Sequence, residues 1–436
     1  ALLRLLQRAP VLRQRRSALA QVLQADGEVV GVVRVAGIPG GGLGVGLLVI
    51  QVGAYLVPAV GTSDALWAIA LGSLIGAGLL GWTAAIGTRT GLSSAGLMHA
   101  TYGSAFARLP VVLNIVQLLG WTAFELVVMR DGTLAIVNKA FGTAHGTLGL
   151  VLATLLWGGV LALLMTGSML TLVRRFVARV GLPLVVLSLL WLSWHFLGVL
   201  QSKGWEAFMQ RPGNGSMSML SALGLVMAMP VSWLPLVADY ARHGRSSRST
   251  LGGTWLGYAL ANAWCYALGV LVASVSEPGT DLVTALLLAQ GGLLALGLIL
   301  LDELDNAYGD VYSAAVSSSS LRQGSLRRWG VWIAVVCTGM AMVLPMHSLE
   351  PFLLMLSSVF VPLYGVILGR LGLGNAAQPE RTAVDRTAVL LWVLGIVVYH
   401  SVERLAPQWG ASLVSLGLTF ALAALTRNHT GQGQAA

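Results

Sequence analysis

The sequence predicts an all-α polytopic membrane protein of about twelve transmembrane helices, and three observations carry that prediction. Of 436 residues, 56% are hydrophobic and 10% charged, with a mean hydropathy of +0.79, outside the range of soluble globular domains. Apolar runs approaching the ~20 residues that cross a ~30 Å hydrocarbon layer recur along the chain, bounded by charges, Pro or Gly. The Lys and Arg residues then fall unequally in alternate loops. Abundant Leu, Val and Ile exclude a disordered chain. The net charge of +9 does not indicate a nucleic-acid partner, because 24 of the 26 cations are Arg scattered at the ends of apolar runs. Cys265 and Cys337, both inside such runs, match neither a disulfide framework nor a thiolate metal site.

In chain order the spans fall near 42–61, 65–87, 111–137, 147–169, 177–200, 218–239, 252–274, 291–316, 331–346, 351–370, 387–402 and 409–426. One set of alternate loops holds fourteen cations: Arg89, Arg108, Arg174, Arg175, Arg179, Arg242, Arg245, Arg248, Arg322, Arg327, Arg328, Arg370, Arg381 and Arg386. The other holds four, Lys139, Lys203, Arg211 and Arg404. That bias predicts a multi-pass protein of the cytoplasmic (inner) membrane with both termini cytoplasmic. The domain reading is a transmembrane domain over 41–426 with a disordered tail at 427–436. Residues 1–40 are an Arg-rich segment without acid before Asp26. A disordered basic tail, an amphipathic surface helix, a targeting segment and a misassigned start all fit it.

Polar groups inside a bilayer are costly, so interrupted helices and intramembrane acids are functional candidates. The first span follows GGGLGVG at 40–46 and contains Gln51, Gly53, Tyr55 and Pro58, with Gln51 near mid-membrane. The sixth contains MPVSWLPLVAD, in which Pro230 and Pro235 flank Ser232 and Trp233; each Pro removes an amide donor and predicts a break. Weakened helices at positions one and six of twelve are what a five-plus-five inverted-repeat transporter produces around a central site.

The third span places Gln117, Trp121 and Glu125 on one face at i, i+4 and i+8, with Trp121 ~15 Å and Glu125 ~21 Å from its inner end. A carboxylate near the bilayer centre costs about 2.5 to 3.5 kcal/mol, so Glu125 is expected to be protonated, paired or facing a cavity. Arg130 and Asp131 are expected as a solvated or locally paired couple at the outer interface. The eighth span, LILLDELDNAYGDVYSAAV, puts Asp302, Glu303, Asp305 and Asp310 into nine positions. If it starts after Gly291-Gly292, residues 280–290 form an external surface helix and the acids line a path. If instead 282–301 spans, the acids are merely cytoplasmic. Helical spacing puts Glu303, Asn306, Asp310 and Ser313 on one face, and Asp302, Asp305 and Tyr312 on an adjacent one.

The stretches GLGVGLLVIQVGAYLVPAVG, GWTAFELVV, WLPLVADYARHGR and ELDNAYGDVYSAAV together resemble the nucleobase:cation symporter-1 family of purine and cytosine permeases, especially its hydroxymethylpyrimidine-transporter-like branch. The resemblance runs from about residue 42 to the end. It implies a LeuT-type fold, a five-plus-five inverted repeat with two further C-terminal helices. A nucleobase-like ring would lie between the third span and the broken first and sixth. By similarity Trp121 matches the family's stacking tryptophan, and Glu125 stands where some relatives place a ring-binding Gln. Ser232 and Trp233 fall in the unwound sixth helix, while Asn306 and Asp310 fall in the eighth, where the family places a substrate Asn and sodium-binding hydroxyls. The chain reads Asp305-Asn306 where many relatives read Thr-Asn, which leaves the coupling ion open between Na+ and H+.

The expected function is therefore secondary import of a small aminopyrimidine, hydroxymethylpyrimidine or cytosine-like, by cation symport. Gln117, Trp121, Glu125, Ser232, Trp233, Asn306 and Asp310 are the expected substrate residues. Gln51, Gly53, Asp302 and Asp305 are the expected cation-coupling residues. No cofactor or resident metal beyond a coupling Na+ is expected, and no catalysis, because the chain carries no phosphate-binding Gly loop, His-rich metal motif or nucleophile elbow. The rivals are a transporter of the same fold for amino acids or amines, an intramembrane enzyme whose acids at 302–310 bind a divalent metal, and a channel. The oligomeric state is open.

Overall fold

A computed structural model of the chain describes residues 46–142, 146–167, 182–277, 279–345, 349–373 and 382–426. The basic segment 1–40, residues 42–45 of the first Gly-rich run, Arg174, Arg175, Arg179 and the tail 427–436 lie outside the described residues. The described residues are helical throughout their ordered elements. In chain order these are α1 (Leu47–Ala59), α2 (Thr62–Thr90), α3 (Ser94–Tyr102), α4 (Arg108–Phe141), α5 (Thr147–Thr166), α6 (Leu182–Lys203) and α7 (Trp205–Met209). Then come α8 (Met219–Ser232), α9 (Leu234–Ala241), α10 (Ser247–Val275), α11 (Leu282–Leu288) and α12 (Gly292–Leu321). The last are α13 (Leu326–Ala341), α14 (Leu349–Ile367, continued by a π-turn over Leu368–Gly372), α15 (Arg386–Leu405) and α16 (Ala411–Leu425).

Each expected apolar run coincides with a helix, the sixth with the pair α8 and α9. Eight spans are long and apolar enough to cross a membrane by composition alone, while α1 and α16 are shorter apolar helices. Of the remaining two, α12 carries the four acids and α13 has only 16 residues, opening on Arg327 and Arg328. At 13 residues α1 is ~20 Å long, so a ~30 Å layer is too thick for it, and one of its ends lies within the membrane.

Residues 280–290 do form a separate element. Asp281 caps α11, its carboxylate accepting from the Thr284 amide at 3.0 Å. Gly291 then takes φ +72°, and a Cβ on Gly292 would stand 2.0 Å from the Leu286 carbonyl oxygen, so the chain turns sharply there. This removes the reading of 282–301 as one span, and places Asp302 ~15 Å along α12.

The packing partners express a two-fold repeat. Taking α1, α2, α4, α5 and α6 as one set and α8–α9, α10, α12, α13 and α14 as its counterpart, equivalent helices meet: α2 against α10, α4 against α12, α5 against α13. The cross pairs α1 with α10 and α2 with α8 are equivalent to each other as well. Small residues make those approaches close. A Cβ on Gly53 of α1 would lie 2.4 Å from the Tyr266 carbonyl oxygen of α10. The helices α15 and α16 pack on α14, outside the repeat. This is the LeuT-type arrangement of five plus five helices with two appended.

Candidate functional site

The sixth span is broken where the prolines predict. Pro235 has no amide to offer the Val231 carbonyl, and Trp233, between α8 and α9, turns its N–H back to Pro230 at 3.3 Å. Two side chains of α4 satisfy the exposed carbonyls: Gln117 Nε2 donates to Ser232 O at 3.2 Å and Asn114 Nδ2 to Pro235 O at 2.9 Å. Gln117 also donates to Asn114 Oδ1 at 3.0 Å, so the pair acts as one brace. Ser232 Oγ donates to Met229 O within its own helix at 2.7 Å.

The start of α1 is held from across the molecule. Its N-cap, Gly46, has no side chain to accept from the first amides. The Glu303 carboxylate of α12 takes that role, accepting from the Leu47 and Leu48 N–H groups and from the Asn306 side chain. An anion at a helix N-terminus meets both unpaired donors and the positive end of the helix dipole. The approach is close: a Cβ on Gly46 would be 2.8 Å from Glu303 Oε1, so a side chain there would displace the carboxylate.

Between these features lies a small cavity, about 350 Å³ when the space open to solvent at its mouth is included. α1 contributes Gly46, Leu48 and Val49; α4 contributes Trp121 and Glu125; α8 and the break contribute Met229 and Trp233. Tyr258 comes from α10, and Glu303, Asn306 and Asp310 from one face of α12. Phe352 of α14 backs Trp121 edge-on, with ring centroids 5.4 Å apart, and Trp233 meets Tyr258 at 6.2 Å. Three polar atoms of this wall find no hydrogen-bond partner among the described residues: Trp121 Nε1, Glu125 Oε2 and the Tyr258 hydroxyl. Buried polar atoms are normally paired, so three such atoms around one cavity are available to a ligand.

Of the expected substrate residues, the structure brings Trp121, Glu125, Trp233, Asn306 and Asp310 together in this wall. Gln117 and Ser232 are not among its lining residues; Gln117 Nε2 and Ser232 Oγ donate to carbonyls of the broken helix. None of the four expected coupling residues belongs to the wall. Gln51 is half-buried and hydrogen-bonds the Tyr55 hydroxyl, and Gly53 serves the contact with α10. Asp302 is partly exposed and Asp305 exposed, on the face of α12 adjacent to the cavity face.

Arg130 is paired with Asp131 at 2.6 Å, yet it is only 7% exposed rather than solvated. Its other nitrogen donates to Ala341 O at 2.7 Å, capping the C-terminal end of α13. Glu303, Tyr258 and Phe352 were not among the expected site residues. A further buried acid, Asp239 of α9, accepts from the Ser94 amide of α3 at 2.9 Å and from Ser313 of α12. Tyr240 beside it donates to Gly309 O at 2.7 Å, so the second half of the broken helix is tied to α12.

Mhp1, a nucleobase-cation-symport-1 family transporter solved in a closed conformation with bromovinylhydantoin bound, is similar in fold, with a TM-score of 0.66 at 16% identity over 88% of this chain and 89% of that one. Its inward-facing conformation gives 0.69 at 15% identity, covering 87% of each chain. A manganese transporter mutant from Eremococcus coleocola matches at 0.50 and 13% identity over 92% of each. No curated protein sequence matches the chain. The model of a family described as permeases for cytosine/purines, uracil, thiamine and allantoin matches residues 43–373, which hold the broken helix, the brace and every residue of the cavity wall. The chain belongs to that permease family, and is a transporter rather than an enzyme.

Proposed function

We propose that this permease imports a small aminopyrimidine, of hydroxymethylpyrimidine or cytosine type, by symport with sodium or a proton across the cytoplasmic membrane, with both termini cytoplasmic. The observation that carries the reading is the pairing on α4. Trp121 and Glu125 lie one helical turn apart, both in the cavity wall, and both present polar atoms without partners. Trp121 offers a flat surface for stacking, held by Phe352, and Glu125 reads the ring nitrogen and exocyclic amine beside it. Asn306 and Asp310 complete the polar contacts from α12, and Trp233 the aromatic wall. Gln117 and Ser232 hold the break in shape. The driving cation uses the adjacent acidic face of α12, Asp302 and Asp305.

Alternating access follows from where the site sits. It lies between α1, α8 and α10 of one group and α4 and α12 of another, the placement that alternating access of one group against the other requires. A screen of the purified protein against pyrimidines, purines and their hydroxymethyl derivatives tests the reading. Saturable binding is expected for aminopyrimidines, and a preference for amino acids or amines without a ring would overturn it.

A further inference from the structure

The cavity wall carries something that a neutral heterocycle does not require. Glu125, Glu303 and Asp310 all line it, all are buried, and among the described residues no Lys, Arg or His lines it. Asp310 and Glu303 are the acidic neighbours of Glu125. Glu303 is answered locally, by the amides that open α1 and by Asn306. Glu125, 4% exposed, keeps Oε2 without a partner. The buried cation of the same helix, Arg130, is engaged by Asp131 and the Ala341 carbonyl.

Facing the acids are Trp121, Trp233 and Tyr258, whose ring faces attract positive charge. Among the described residues no three Asp, Glu, His or Cys side chains converge as metal ligands. The acids come from two helices, Glu125 from α4 and Glu303 and Asp310 from α12, and share the wall with the aromatic rings, which suits a charge spread over a ring.

We propose that the substrate is held as an organic cation, a heteroaromatic ring with delocalised positive charge such as a protonated or N-alkylated aminopyrimidinium. The aromatic wall takes the charged ring, its exocyclic amine donates to Glu125, and Asp310 and Glu303 balance the charge. This rests on the aminopyrimidine reading above and specifies its charge.

The test uses two rings of equal size, 4-amino-1,2-dimethylpyrimidinium, whose charge is fixed, and neutral 4-amino-2,6-dimethylpyrimidine. Both are titrated into the purified full-length protein by calorimetry at alkaline pH, where the second ring is unprotonated. The fixed cation is expected to bind at least about tenfold more tightly, consistent with charge-assisted and cation–π contacts in a desolvated site. The ratio is expected to shrink at least about threefold in Glu125→Gln and in Asp310→Asn. Equal or tighter binding of the neutral ring overturns the inference while leaving the aminopyrimidine reading intact, and so does sodium-dependent preference for it. Binding of neither ring overturns both.

Discussion

Replacing Glu125 with Ala separates the ligand's use of that carboxyl from any structural use. The unliganded fold gives Oε2 no partner, so removing the side chain breaks no protein contact through that atom. It also takes an acid away from the field of Asp310 and Glu303. Burying unpaired charge is unfavourable, so thermal stability should hold or rise. Ligand binding should move the other way. The aminopyrimidine edge that Glu125 would satisfy is left unpaired in a desolvated cavity, a loss of about 1–3 kcal/mol, or about 5- to 150-fold in affinity. The assay is calorimetric titration of purified Glu125→Ala with the best aminopyrimidine, beside its melting temperature. At least about tenfold weaker binding in a folded protein is expected, with Glu125→Gln between the two because it keeps the size and an acceptor. Wild-type affinity in Glu125→Ala would refute the assignment, and a large drop in melting temperature would reassign Glu125 to structure.

Three further outcomes are expected. Phe141→Cys, at the exposed end of α4, should react with an impermeant thiol reagent added outside; the adjacent Gly142 has φ +66° and is the poorer position, and reaction only from the cytoplasmic side would refute the topology. Uptake by Asp305→Asn should lose its dependence on whichever gradient drives the parent protein, and unchanged ion dependence would move coupling off that face of α12. Gly53→Ala sets a methyl 2.4 Å from a backbone oxygen of α10 that no rotamer change can clear, so melting temperature should fall, by a stability loss of about 1–3 kcal/mol. An unshifted melting curve would contradict the packing described for that helix pair.

The spans were legible because lipid demands apolar runs of fixed length, and the break in the sixth because a missing amide is written in Pro235 itself. The separation of α11 from α12 was legible for a similar reason, in Gly291-Gly292. Trp121 and Glu125 could be paired because one helix carries both, at i and i+4. The contacts that complete the cavity run between distant segments and leave no local mark. Glu303 meets the Leu47 amide across 256 positions of sequence. Phe352 and Tyr258 are ordinary apolar-helix aromatics until α14 and α10 are packed.

The same limit hides which way Gln117 turns, because whether its amide meets the cavity or the sixth span depends on how α4 and α8 meet. For Gly53, expected among the coupling residues, the close approach of two backbones is likewise unmarked in the local sequence. Arg130 was expected as a solvated or locally paired couple with Asp131; the pair forms, and the contact with the end of α13 is what the distance along α4 could not indicate.

Uptake of a radiolabelled aminopyrimidine into proteoliposomes holding only this protein, under imposed sodium or proton gradients, tests symport most directly. Accumulation above the external concentration is predicted, abolished when an ionophore collapses the driving gradient and reduced in Glu125→Ala. Uptake that merely equilibrates, or that persists unchanged without either gradient, would contradict cation-coupled import.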